Sequence, residues 1–269
     1  MLSILVPLMM QVGIAPTSSP VSAVPPELRD RPARNAAMVD RVPSASAIDV
    51  CLDTARSDPE KARALAQEWV SRTTGLQRAA GRHCLGVAAG NAGDWNAAAG
   101  AFLAARDEAA DPGFRARMSS LAASALLAEG KPADALAALD QADAAGDAAL
   151  LSAIALDRAS ALVALDRMDE AATALAAARA AAPNDAQAWL LSATLSRRTG
   201  DLATAQAQIE QAATLDPRDP AIGLEAGVIA ALGGRDEAAR KSFESVVAAA
   251  PDSPQGTTAA HYLKQLAGQ

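Results

Sequence analysis

Three prolines constrain this chain more than any other feature. Pro183, Pro217 and Pro251 stand 34 residues apart, and two residues after each comes a helix-capping type: Asp185, Asp219 and Ser253. Proline disfavours helical geometry in the residue before it, so each proline closes one helix and the Asp or Ser beyond it opens the next. Between successive prolines lie two apolar runs parted by a glycine-centred break, at Gly200 and at Gly233-Gly234. Two helices in every 34 residues predict an all-α solenoid of helical hairpins, each burying its apolar face only against its neighbours.

Composition says how such an array must be held. Alanine fills about a quarter of the 269 positions, and aromatic residues only 3%. Alanine is the best helix former and lets helices approach closely, but it buries little area, so stability accumulates over many stacked units. The net charge of −7 argues against a nucleic-acid partner, because phosphate binding needs a concentrated basic face. Acidic pairs such as Asp169-Glu170 and Asp236-Glu237 fall in the first turn of second helices, where they complement the helix dipole.

The start of the chain reads differently. Residues 1–15 are apolar and carry no charged side chain. That run is too short for a stable membrane span, but it fits the core of a secretory signal, with Val21-Ser22-Ala23 as a small-residue cleavage site. Residues 1–23 are therefore read as a signal peptide, although no Lys or Arg precedes the apolar run. Residues 24–46, with Pro25, Pro26, Pro32 and Pro43, are read as a flexible linker, and 47–267 as the solenoid. This predicts a periplasmic or secreted protein; a cytoplasmic one follows if the signal is not real.

Six helix pairs and a closing helix can be traced. The first pair joins Ala47–Arg56 to a helix opened by Asp58-Pro59, with Ala62, Leu65, Ala66, Trp69 and Val70 on one stripe. The second has Leu85-Gly86, then Gly93-Asp94-Trp95, then Ala98, Phe102 and Ala105 at i, i+4 and i+7. The third turns at Gly130-Lys131-Pro132 and continues with Ala135, Leu139 and Ala142. The fourth turns at Asp166, the fifth at Gly200-Asp201 and the sixth at Gly234. Turn-to-turn offsets shorten from 37 and 36 to 34 and 34, and extra loop residues near Asp111-Pro112-Gly113 and Ala145-Gly146 account for the longer ones. Tyr262, Leu263 and Leu266 face the last pair from the closing helix.

The order Leu-Gly, Gly-Asp-aromatic, then Ala, Phe and Ala in this spacing resembles the tetratricopeptide repeat. The resemblance covers residues 47–267 and is most specific over 79–251; it implies a right-handed helical-hairpin solenoid. It departs from the family where an aromatic is expected early in each first helix, which survives only as Trp189, with Ala155 and Gly223 elsewhere. That departure bears on how tightly neighbouring repeats pack.

The resemblance also implies a concave groove lined by first helices that holds extended segments of a partner protein. Carried onto this sequence, the groove comprises His83, Val87 and Asn91; Arg117, Ser120, Ser124 and Leu127; Leu156, Ser160 and Val163; Gln187, Leu190, Thr194, Arg197 and Arg198; and Leu224, Val228 and Leu232. The surface is small and apolar with one basic spot at Arg197-Arg198, which equally suits a charge complementing a helix C-terminus. The Lys and Asn clamp by which some members hold carboxylate tails is absent.

No enzyme chemistry is visible. Cys51 and Cys84 are the only cysteines and His83 and His261 the only histidines, with no CxxC or HxxxH spacing for a metal and no phosphate loop or nucleophile elbow. Cys51 and Cys84 fall on first helices of adjacent repeats. They are candidates for a disulfide in an oxidising compartment, against the alternative of two inert buried thiols. The expectation is a non-enzymatic, cofactor-free interaction scaffold in the bacterial cell envelope, with a protein or peptide as partner and self-association open. The alternative is a cytosolic regulatory or sensor subunit with a disordered N-terminal tail.

Overall fold

The computed structural model describes residues 45–142 and 147–267. The signal and linker boundaries at residues 1–23 and 24–46 fall almost wholly outside them, as does the expected loop at Ala145-Gly146. The described helices belong to one compact unit, residues 42–269. They are α1 (Ala45–Ser57), α2 (Pro59–Arg72), α3 (Gly75–Asn91), α4 (Trp95–Glu108), α5 (Pro112–Ala128) and α6 (Pro132–Asp140). There follow α7 (Ala148–Ala164), α8 (Met168–Ala181), α9 (Ala186–Arg198), α10 (Leu202–Leu215), α11 (Pro220–Leu232), α12 (Asp236–Ala249) and α13 (Pro254–Ala267). Successive helices pair as hairpins, and each hairpin stacks on the next, giving six pairs and a closing helix in a right-handed solenoid.

Local chemistry sets these boundaries. Seven helices open on an aspartate whose carboxylate accepts a hydrogen bond from a backbone N–H of the first turn: Asp58, Asp94, Asp111, Asp147, Asp185, Asp201 and Asp219. Ser253 does the same for α13, its Oγ accepting from Gly256 N–H at 2.9 Å. Where a second helix opens instead on Arg167 or Arg235, with no side-chain cap, two acidic residues occupy its first turn. The turns inside pairs two to six each carry one residue in the left-handed region: Gly93, Gly130, Asp166, Gly200 and Gly234. Asp166, at φ 59°, holds without glycine a conformation that glycine adopts freely.

Glycines on the first helices make room for aromatic rings. A Cβ on Gly86 would come within 2.5 Å of the Phe102 ring, and one on Gly227 within 2.3 Å of the Phe243 ring. The large residue of the second helix therefore lies over the glycine of its own pair, and Phe102 also reaches the core formed by Met118, Ala122 and Ala123 of the next pair. At Gly223, where the expected aromatic is missing, a Cβ would meet Val246 at 2.6 Å. The neighbouring helix has moved into the space, so packing there is close.

Three local expectations are corrected. Leu65 is 42% exposed, outside the buried stripe of Ala62 and Ala66. Ala142 follows α6 instead of lying on it, because that helix stops at Asp140. Asp111-Pro112-Gly113 is no insertion: Asp111 caps α5 and Pro112 is its first residue. The longer early period lies in the first helices, which are 17 residues in α3, α5 and α7 against 13 in α9 and α11. Roughly one extra helical turn accounts for the difference.

Candidate partner-binding site

Successive first helices lie close at α1–α3, α5–α7, α9–α11 and α11–α13, and side-chain links mark the first three of these junctions. Between α1 and α3, the Asn91 side-chain amide donates to the Ala55 carbonyl at 2.8 Å. Cys51 and Cys84 face each other across the same two helices, their Cα atoms 6.1 Å apart and both side chains buried. That separation lies inside the range a disulfide requires. Between α5 and α7, Ser120 and Ser124 donate to Asp157 Oδ2 at 2.9 and 3.0 Å. Between α9 and α11, the Arg197 guanidinium grips the Glu225 carboxylate with two contacts, 2.6 and 3.3 Å.

The α3–α5 and α7–α9 junctions are looser. Between α3 and α5 the gap is bridged by rings, with His83 edge-on to Phe114 at 6.1 Å and tilted against Phe102 at 6.2 Å. Burial pushes the His83 imidazole down to about 4, helped by the nearby Arg117 charge, so at neutral pH it is an uncharged core group. Burial has the opposite effect on Asp157, raising its carboxyl above the usual range against the pull of its two serine bonds.

Between α7 and α9 the gap stays open as a cavity of about 210 Å³ lined by Ser160, Val163, Leu191, Thr194 and Arg198. A second cavity, about 350 Å³, lies between α11 and α13 and is lined by Val228, Leu232, Phe243, Tyr262 and Leu266, with Arg197 at its edge. Of the residues that sequence reasoning placed in the groove, Ser160, Val163, Thr194, Arg197, Arg198, Val228 and Leu232 therefore line cavities. Leu156 and Leu224 are half-buried against the core clusters beneath. Leu190 is only 7% exposed and packs with Ile209 and Ile222, so it offers the face little surface. Arg197 is neutralised by Glu225, whereas Arg198 is exposed and has no carboxylate partner among the described residues.

Sequence reading missed Asp157, Glu225 and the wall supplied by α13. The signal was present in part: Asp157 lies 37 residues from Ser120, and Glu225 28 from Arg197. The Ser124–Asp157 offset of 33 is close to one period and so is found by a search at that offset, whereas the Arg197–Glu225 offset of 28 is not. Among the described residues no three His, Cys, Asp or Glu side chains gather to hold a metal, and no described helix is long and apolar enough to cross a membrane.

Residues 156–205 and 190–254 match the sequence model of the tetratricopeptide repeat. No curated protein matches the chain by sequence. Solved structures with the same fold include PilW, described as a widely conserved type IV pilus biogenesis factor. It is 16% identical with a TM-score of 0.66 over 80% of this chain and 99% of that one. A tetratricopeptide-repeat protein of Thermus thermophilus, TTC0263, is 20% identical with a TM-score of 0.55 over 69% of this chain and 98% of its own. YrrB, described as having an unusual peptide-binding site, is 18% identical with a TM-score of 0.50 over 68% and 91%. Direct sequence match identifies tetratricopeptide repeats over residues 156–254, and helix pairing of the same kind extends that repeat fold back to Ala45.

Proposed function

We propose that this chain is a non-enzymatic scaffold that holds an extended, apolar segment of a partner protein along its first-helix face, outside the cytoplasm. The observation that carries the reading is the pair of apolar cavities at Val163 and Val228, opening on the face made by α7, α9, α11 and α13. Apolar concavities with a few fixed polar groups are what a side-chain-reading surface needs. Leu156, Leu190 and Leu224 support the floor, and Arg198 supplies the free charge. Export is supported by the signal-like start and by two buried cysteines held within bonding reach, an arrangement that persists in oxidising compartments.

Selection of displayed random peptides on the folded chain tests the binding face. The peptides recovered lose at least tenfold in affinity when Val228→Asp is introduced, while the circular dichroism of the variant stays that of the parent. Peptides that bind Val228→Asp and Val163→Asp unchanged place the interaction elsewhere and sink the reading. Mature N-terminal sequencing tests export: a start at residue 24, with a mass gain of about 2 Da on reduction, is expected for the exported, disulfide-bonded form. An intact Met1 with two reduced cysteines replaces it by the cytosolic sensor subunit.

A further inference from the structure

The two cavities and the polar bar between them have a fixed order along the first-helix face. The first lies between α7 and α9, the second between α11 and α13, and the Arg197–Glu225 pair closes the junction between α9 and α11 that separates them. Those partners are largely shielded, 23% and 12% exposed, so the pair forms a closed, charge-neutral floor. Resting on the peptide-binding reading above, we infer that the face is a two-pocket ruler. It selects an extended segment with two large apolar side chains set about six residues apart, and an acidic residue beside the anchor that enters the first pocket.

The spacing follows from the stacking. Packed helices lie about 8–10 Å apart and the α7–α9 junction is wider, so two first-helix steps separate the pockets by at least about 16–20 Å. An extended chain advances about 3.3 Å per residue, and about five to six residues cover that span. Each pocket suits one anchor. The first, at about 210 Å³, is narrow, walled by Val163, Leu191 and Thr194. The second, at about 350 Å³, is roomier and has the Phe243 and Tyr262 rings in its wall, 5.3 Å between centroids, which fits an aromatic anchor.

Charge supplies the direction. Arg198 stands exposed at the first pocket with no carboxylate partner among the described residues, whereas at the second pocket Arg197 is already satisfied by Glu225. One end of the ruler is therefore cationic and the other neutral. A carboxylate flanking the first anchor gains a charge-assisted contact; a lysine there meets repulsion. Asp157 does not cancel this preference, since its Oδ2 is committed to Ser120 and Ser124 on the far side of α7. The reading explains why two consecutive arginines, equal in sequence, differ in role: one joins repeats, the other is left for a ligand.

The test uses the full chain and fluorescein-labelled Gly/Ser peptides bearing a leucine and a phenylalanine separated by three to nine residues, with Asp, Ser or Lys beside the leucine. Affinity is read by fluorescence anisotropy. The expected result is an optimum at five to seven residues, at least tenfold tighter than at three or nine. Asp should be preferred to Lys about fivefold, and Arg198→Glu should invert that preference. Leu232→Asp, at a site 58% exposed and so tolerant of charge, removes the dependence on phenylalanine and leaves that on leucine. Binding that ignores spacing yet still falls with Val163→Asp and Val228→Asp overturns the ruler and leaves the groove standing. Binding that ignores all four substitutions, or no binding by any peptide of the series, overturns the ruler; the displayed-peptide selection then decides separately whether the groove reading survives.

Discussion

In the pair α1–α2 the buried apolar side chains are Cys51, Ala55, Ala62 and Ala66; in the pair α11–α12 they include Ile222, Ile229, Phe243 and Val246. Both pairs form the same hairpin, but a buried alanine removes far less apolar surface from water than isoleucine or phenylalanine does. The N-terminal region compensates with longer first helices from α3 to α7 and with side-chain links between first helices: the cysteine pair, the Asn91 amide and the two serines on Asp157. The C-terminal region keeps the strict 34-residue period, buries isoleucine, phenylalanine and valine, and carries both cavities.

The sharpest way to break this comparison is Phe243→Ala. Removing a fully buried ring that sits over Gly227 costs about 3–5 kcal/mol. Repeat arrays couple mainly to nearest neighbours. Hydrogen exchange should therefore speed up through α11–α13 while α1–α4 keep their protection. Equal loss of protection at both ends would show the solenoid to be one cooperative unit. Replacing both Cys51 and Cys84 by serine mirrors this at the other end. It removes a link closing 33 residues, which lowers stability by about 3–4 kcal/mol in the chain-entropy picture. The expected reading is faster exchange in α1 and α2 with the melting of the C-terminal pairs unmoved.

Acid should separate the halves as well. His83 titrates at about 4 in the folded chain against 6.5 in its ordinary state, so the unfolded chain binds the extra proton between those values. Stability contributed by the neutral ring is complete above pH 6.5 and is lost as pH falls towards 4, up to about 3 kcal/mol. Asp157 runs the other way, since its raised carboxyl pKa costs stability as pH climbs through the folded value. Thermal melts from pH 7 to 4 should show the N-terminal region weakening first, and His83→Gln should flatten that slope; an unchanged slope would contradict the assignment to His83. The smallest effect is Asp166→Gly. It relieves the one non-glycine residue in the left-handed region among the described residues and should raise stability by about 0.5 kcal/mol, measured by urea denaturation.

The sequence by itself determined the repeat. Proline spacing, glycine turns and aspartate caps act within a few residues of themselves, so helix ends at Gly93, Gly200, Asp185 and Asp219 were legible without any fold. It also named first-helix residues that line the two cavities, among them Val163, Thr194 and Val228. Tertiary structure decided what each side chain does there, because a helix periodicity says which residues share a stripe but not how far apart two stripes stand. That distance follows from the summed packing of every side chain between them. Hence Leu190 sank into the core while Thr194, one turn on, reached a cavity. Arg197 found Glu225 across a close junction, and Arg198, 100° further round the helix, was left facing the open one.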